Sequence, residues 1–352
     1  MDCYCSQGHR RAVVSIAVTG SSGAVGKRVV QLLVDSGVTE RIVAVNRRQP
    51  AVESPIVDAR QLDLMVDDLV PAVADCDSIV HLAEDPSRRS DPAAALTALE
   101  TVLAAADKAD RPHLVLLSSA LVYGAYPDNP VPLTESHPIR PIAGLAHAAI
   151  KAELETRATA WAEDTGAGLA VLRPAATLSE GDSSWIGAAL RAATAVRSEQ
   201  VDPPVQFLHH DDLAEALVVA ARQRLDSVYN VAPDGWIGAE LFRALRGEAD
   251  VRLPQRLSEW RLRAAKSLAD RSLLDGLEPY VSWPWVVSND KLRATGWAPT
   301  FSNEEAFVAG TPPPLLSSIN PQRRQELALG VAGTAGAAAV GAALWVLRRT
   351  LR

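Results

Sequence analysis

Two short stretches carry side chains whose types and spacing suit chemistry. In AGLAHAAIKAELE, residues 143–155, His147 and Lys151 stand four apart, which on a helix puts both on one face, one turn apart. Histidine is the side chain best suited to general acid or base work near neutral pH, given the right geometry. In TGSSGAVG, residues 19–26, glycines follow the apolar run VVSIAV and precede a helical pattern starting near Val25. Such a loop lets the chain turn tightly, admits a pyrophosphate close to the backbone and directs it at a helix N-terminus. Gly20, Ser22, Gly23, Ala24, Val25 and Gly26 are therefore expected to bind a dinucleotide. About 20 residues on, where an acidic residue would select NAD and an arginine would accommodate the 2′-phosphate of NADP, the chain has Asn46-Arg47-Arg48. NADP is favoured over NAD, with Asn46 and Arg47 as its readers.

These residues need a scaffold, and the pattern around them supplies one. Short apolar runs at residues 13–18, 42–45, 78–82, 113–117 and 169–172 alternate with helical patterns at about 25–35, 91–106 and 142–164. Such alternation with apolar strands predicts a doubly wound α/β domain, a parallel sheet covered on both faces, over residues 13–174. Beyond Arg173-Pro174 the rhythm loosens into helices at about 212–224, 239–245 and 257–274, with a strand at 228–231. Trp236, Trp260, Trp283, Trp285 and Trp297 gather here and are expected to build a small core. Residues 175–310 form the predicted substrate-side α/β lobe, and residues 1–12 an N-terminal tail.

A proline-rich spacer, residues 311–326, leads into an uncharged segment from Leu327 to Leu347, with arginines on both flanks and Arg348-Arg349 opening the basic tail 348–352. Its length, about 31 Å as a helix, matches a bilayer's hydrocarbon core. The segment is predicted to be a single-pass membrane anchor with the main domain in the cytoplasm, Trp345 lying at the interface. Gly333, Ala337 and Gly341 recur every fourth residue, a small-residue face that permits helix pairing and hence a homodimer. The rest of the composition, 48% hydrophobic and 22% charged, is that of a folded protein. A net charge of −7 without a basic face speaks against nucleic acid and for small-molecule partners. Cys3, Cys5 and Cys76 show no metal-ligand spacing, no apolar signal precedes the first strand, and a reducing compartment is expected.

Taken in order, the motifs resemble the extended short-chain dehydrogenase/reductase superfamily and, within it, the NAD-dependent epimerase/dehydratase family, over roughly residues 13–309. TGSSGAVG is similar to that group's TGxxGxxG loop. Asp63-Leu64 resembles its adenine-contacting turn, and HLA at 81–83, with Leu82 and Ala83, the segment after its fourth strand. LLSSALVYG, residues 116–124, resembles the SSxxVYG strand end and places Ser119 at the catalytic serine, with Tyr123 at a structural tyrosine. LRPA, containing Pro174, FLHHDDLAEAL at 207–217 and VYNVA at 228–232 match elements that close the cofactor site and begin the second lobe. The resemblance implies that His209-His210-Asp211-Asp212 is no metal site but a helix start capped by an aspartate.

In the family a Tyr-x-x-x-Lys pair works with the serine. The lysine binds the nicotinamide ribose and lowers the tyrosine pKa, and the phenol exchanges a proton with the substrate oxygen held by serine. The matching segment puts Lys151 on the lysine and His147 on the tyrosine. Imidazole is roughly 2 Å shorter in reach than phenol, so it would act through a bridging water. With a reference pKa of about 6.5 beside an ammonium, it serves better as base than as acid. A second departure is Ala95, where the family usually has asparagine in its proton relay, and Asn46 is a third. Two functions are therefore open. One is an NAD(P)-dependent oxidoreductase, epimerase or dehydratase acting on a small hydroxyl- or carbonyl-bearing substrate, a sugar nucleotide among them, with Ser119, His147 and Lys151 catalytic. The other is a non-catalytic, membrane-tethered NAD(P)-binding sensor or scaffold.

Overall fold

The computed structural model of the chain describes residues 15–48, 52–83, 92–180, 203–245 and 276–311. At its centre is a seven-stranded sheet, parallel at every pairing. Its strands are β1 (Ser15–Thr19), β2 (Arg41–Asn46), β3 (Val57–Gln61), β4 (Ser78–His81), β5 (His113–Leu117), β6 (Leu169–Pro174) and β9 (Ser227–Val231), in spatial order β3-β2-β1-β4-β5-β6-β9. β7 (Ala176–Leu178) and β8 (Phe207–His209) form a separate parallel pair. The described residues up to Gly310 belong to one compact unit.

Successive strand residues point to opposite faces, so the apolar residues of the central strands feed two cores. Ile16, Val18, Ile42, Val80, Val115 and Leu172 pack on one side with α1 (Ala24–Asp35), through Val29, Val30 and Leu33. Ala17, Val43, Val45, Ile79, Leu114 and Val171 pack on the other with α2 (Val70–Val73), α3 (Pro92–Lys108) and α4 (Ala146–Thr165), among them Leu99, Val102, Ile150, Leu154 and Trp161. α5 (His210–Gln223) lies beside α1 on the first face. The doubly wound architecture expected from the strand and helix rhythm is present.

Several local expectations are corrected. β3 escaped the periodicity because VDARQ is polar, and the strand sits half-exposed at the sheet edge. The strand assigned to the second lobe is instead the seventh strand of the main sheet, because β6 is buried along its whole length and needs a partner on its free edge. α4 begins at Ala146, four residues later than expected, because Gly144 has a φ of +97° and Leu145 N–H closes a turn on Ile142 O. α5 is capped not by an aspartate but by His209, whose Nδ1 accepts from Asp211 N–H at 3.2 Å. Asp212 is turned away to accept from Thr300 and Phe301 N–H at 2.8 and 3.1 Å. His209 stacks on Phe301 and His210 bonds Ser179, and the described residues hold no cluster suited to a metal ion. Trp285 and Trp297 are buried, Trp283 packs at the core margin, Trp236 is exposed, and Trp260 lies outside the described residues. The helix expected over 257–274 and the anchor over 327–347 also lie outside them. Among the described residues no helix is long and apolar enough to cross a membrane.

His113 opens β5 and is buried, and its Nε2 lies 2.8 Å from Leu225 O. A carbonyl only accepts, so Nε2 carries the proton and the neutral ring fits. Burial pushes this imidazole below its ordinary value. Between the folded and the unfolded pKa the unfolded chain binds more protons, so stability present above about pH 6.5 is lost as the pH falls. The unfolding free energy of wild type is expected to drop more between pH 7 and pH 5 than that of His113→Gln, by up to about 1.4 kcal/mol per pH unit across that window. Parallel pH dependences in urea titrations would remove His113 as the cause.

Candidate cofactor-binding site

The C-terminal ends of β1, β2 and β4 meet where the strand order reverses, the position at which open α/β sheets bind ligands. The glycine loop occupies this point. Gly20 N–H donates to Val45 O at 3.0 Å, Gly23 N–H to Gly20 O at 3.0 Å, and Leu82 N–H to Thr19 O at 3.2 Å. Beneath it Thr19 Oγ1 and His81 Nδ1 are hydrogen-bonded at 2.8 Å, both buried.

Two glycines are dictated by space. Gly20 has a φ of +72°, and a Cβ there would come within 2.9 Å of Ala83 N and of Leu82 C. A Cβ on Gly26 would lie 2.2 Å from Gly20 O and 2.9 Å from Ser21 Cα. The loop therefore folds tightly over the first turn of α1. That turn has Gly23 as its N-cap, no side-chain cap and no acidic residue. Its backbone N–H groups and the positive end of its dipole suit a phosphate. An anionic diphosphate fits this cradle, and a carboxylate-lined loop would have rejected it.

Around the cradle, Asn46 ends β2 half-buried, and its amide donates to the Ser22 hydroxyl within the loop. Arg47 follows, exposed, its carbonyl accepting from Gln61 Nε2 at 3.1 Å. Asp63 Oδ1 accepts from Met65 N–H at 3.0 Å, making a turn that presents Leu64 to the core. Leu82 and Ala83 leave β4 half-buried.

Further along the same sheet edge, β5 leads into Ser118 and Ser119. Ser119 is buried and caps a short 3₁₀ turn, Ala120–Tyr123, its Oγ accepting from Leu121 N–H at 3.3 Å. Lys151, also buried, reaches from α4 to donate to Leu117 O at 2.7 Å. His147 lies on the first turn of α4, half-buried, on the same helix face as Lys151. Pro174 ends β6, the next strand.

The motif spacing did not disclose a buried polar network under these residues. The Ser118 hydroxyl donates to the Glu155 carboxylate, which also receives Arg173 Nε at 3.0 Å and Nη2 at 2.6 Å. Arg173 Nη1 donates to the Tyr123 hydroxyl at 2.8 Å, and that hydroxyl donates to Asn230 Oδ1 at 2.8 Å. Burial pushes the Tyr123 phenol above its ordinary value, so it is a structural donor here rather than an acid. A signal was available in the sequence: Glu155 follows Lys151 by four residues, hence on the same helix face.

A model of the NAD dependent epimerase/dehydratase family matches residues 16–232, well over half of the chain. No curated protein sequence matches. Among solved structures, the Thermus thermophilus UDP-glucose 4-epimerase in complex with NAD is 18% identical, with 84% of this chain and 97% of that chain covered and a TM-score of 0.61. The Thermotoga maritima UDP-glucose 4-epimerase with UDP-glucose is 16% identical, with coverages of 84% and 97% and a TM-score of 0.62. The Streptomyces venezuelae dTDP-glucose 4,6-dehydratase with NAD bound is 18% identical, with coverages of 84% and 95% and a TM-score of 0.61. At such identities these likenesses establish the fold.

Proposed function

The chain belongs to the NAD dependent epimerase/dehydratase family, and from that membership we propose that it binds a nicotinamide dinucleotide in the glycine cradle and acts as an epimerase- or dehydratase-like oxidoreductase. Its substrate would be a small hydroxyl- or carbonyl-bearing molecule of the sugar-nucleotide class, the class named for the similar solved structures. The observation that carries this reading is the cradle itself, where backbone packs so closely on Gly20 and Gly26 that a Cβ at either would collide with it, over an uncapped helix N-terminus.

In this reading Gly20, Ser22, Gly23, Ala24, Val25 and Gly26 hold the pyrophosphate. Asp63, Leu64, Leu82 and Ala83 border the adenosine half. Asn46 and Arg47 read the adenosine ribose, and the lack of a carboxylate there favours NADP. Lys151 binds the nicotinamide ribose, with Pro174 closing that end. The bound nicotinamide supplies hydride donation and acceptance. Ser119 holds the substrate oxygen by its hydroxyl, and His147 passes a proton to or from that oxygen through one water, since its reach is short of direct contact. The segment Leu327 to Leu347, uncharged and flanked by arginines, would tether the protein to a membrane with the main domain cytoplasmic, and its small-residue face would pair two copies.

A second reading, a non-catalytic NAD(P)-binding sensor or scaffold, is favoured by one observation: an imidazole stands where the family has its phenol, with Ala95 at the relay asparagine. Fluorescence titration of full-length protein with NADH and NADPH is expected to show binding, tighter for NADPH. A loss of about tenfold is expected in Lys151→Met, the size of one charge-assisted hydrogen bond. Hydride exchange with a panel of sugar nucleotides and simple carbonyl compounds, abolished in Ser119→Ala, would identify the enzyme. Binding without exchange selects the sensor, and no binding of either cofactor overturns both readings.

A further inference from the structure

We infer that Glu155 is a positioning residue for the nicotinamide end of the site: it fixes α4 against the exit of β5 so that Lys151 and His147 face Ser119. The inference rests on the proposed cofactor reading and concerns groups that reading does not use.

Two successive residues leaving β5 are each fastened to the same face of α4. The Leu117 carbonyl accepts from Lys151 Nζ, and the Ser118 hydroxyl donates to Glu155. Ser119 comes next, capping the 3₁₀ turn Ala120–Tyr123 that packs against α4. Residues 147, 151 and 155 follow one another at four-residue intervals, so a single roll angle of the helix aligns all three. Glu155 is in turn gripped from the neighbouring strand by Arg173, and Arg173 is fixed through Tyr123 to Asn230 on β9. Three adjacent strand ends thus bear on one carboxylate, and all five side chains are buried.

Apolar packing already attaches this helix. Ile150, Leu154, Ala158 and Trp161 sit in the core shared with α3 and the sheet. Such contacts are non-directional, and they tolerate small rolls and slides. A hydrogen bond does not, since it weakens steeply when its angle or distance departs from a narrow range. A buried ion pair is a poor way to gain stability, because well-packed apolar residues of like volume do as well or better. What the pair supplies is geometry, at the place where a lysine ammonium must meet a ribose.

The test separates the two halves of the cofactor. NADH and NADPH are titrated against counterparts that lack both the nicotinamide and its ribose, ADP and 2′-phospho-ADP, on full-length wild type, Ser118→Ala, Glu155→Gln and Lys151→Met. Each variant is expected to bind the complete dinucleotide about tenfold more weakly, the effect of one misplaced hydrogen bond, while affinity for the counterpart without the nicotinamide and its ribose stays within about twofold. Ser118→Ala removes only a hydroxyl, so it decides the matter should Glu155→Gln fail to fold. Equal losses for both ligand types would make Glu155 a merely structural residue, and an unchanged Ser118→Ala would equally overturn the inference. Wild type that binds none of the four ligands overturns the cofactor reading and this inference with it.

Discussion

Gly26→Ala is expected to lower the affinity for NADH and NADPH by about 100-fold or more, equivalent to about 2.7 kcal/mol, while the protein stays folded. The added Cβ would lie 2.2 Å from Gly20 O, 2.9 Å from Ser21 Cα and 3.0 Å from Gly20 C. All three are backbone atoms, so no rotamer change relieves the clash. Either α1 or the loop must move. α1 is held by Val29, Val30 and Leu33 in the core and by its packing on α5, whereas the loop is tied to β2 by hydrogen bonds, from Gly20 N–H, Ser21 N–H and the Ser21 hydroxyl to Val45 O and from Asn46 to Ser22. The loop yields, and its amides leave the positions from which they would meet a pyrophosphate. Overpacking of this kind costs about 1–3 kcal/mol, which a domain of this size survives. Gly37→Ala is the control. Gly37 has a positive φ, +63°, which Gly26 lacks, and a Cβ there meets nothing within 4 Å, so its cost is backbone strain alone, away from the cradle. Fluorescence titration with circular dichroism on both variants reads the outcome. Affinity of Gly26→Ala within about threefold of wild type would place the cofactor elsewhere, since a tenfold change already corresponds to about 1.4 kcal/mol.

The cradle and the sheet were legible in the sequence because each follows from a local rule. Strands buried on both faces must be mainly apolar, and the middle residues of β1, β2, β4, β5 and β6 are, with polar residues such as Ser78, His113 and Arg173 kept at or next to the strand ends. A loop that approaches a helix turn closely must use glycine, and Gly20 and Gly26 do. What stayed hidden depends on partners far along the chain. β3 has no apolar signature because the sheet edge leaves it half-exposed. β9 belongs to the main sheet through its pairing with β6, a contact between residues 57 apart at Ala170 and Ser227 (227 − 170). The late start of α4 reflects one left-handed glycine inside an otherwise helix-forming stretch. The Ser118, Glu155, Arg173, Tyr123 and Asn230 network joins five segments, and only the spacing of Glu155 from Lys151 pointed to it.

Arg173→Met is expected to destabilise the protein by about 3–5 kcal/mol, the cost of leaving one member of a buried ion pair without its partner. The Arg173 and Glu155 side chains are each 5% exposed, and the guanidinium grips the carboxylate through Nε and Nη2. Burial alone would lower the arginine pKa, but Glu155 and Tyr123 overcome it and hold the guanidinium above its ordinary value. Without Arg173, the Glu155 carboxylate would keep Ser118 as donor and lose its countercharge, and the Tyr123 hydroxyl would lose a donor as well. The double variant Arg173→Met with Glu155→Leu removes both charges together and is expected to recover most of the loss, because apolar side chains of like volume fill such sites well. Urea denaturation of the four proteins measures the coupling. A single Arg173→Met variant destabilised by less than about 1 kcal/mol would mean that water, not Glu155, satisfies the guanidinium. Stability and geometry then part company in the double variant: it regains its fold yet lacks the carboxylate that orients α4. Its affinity for the complete dinucleotide should therefore stay low while its unfolding midpoint returns towards that of wild type.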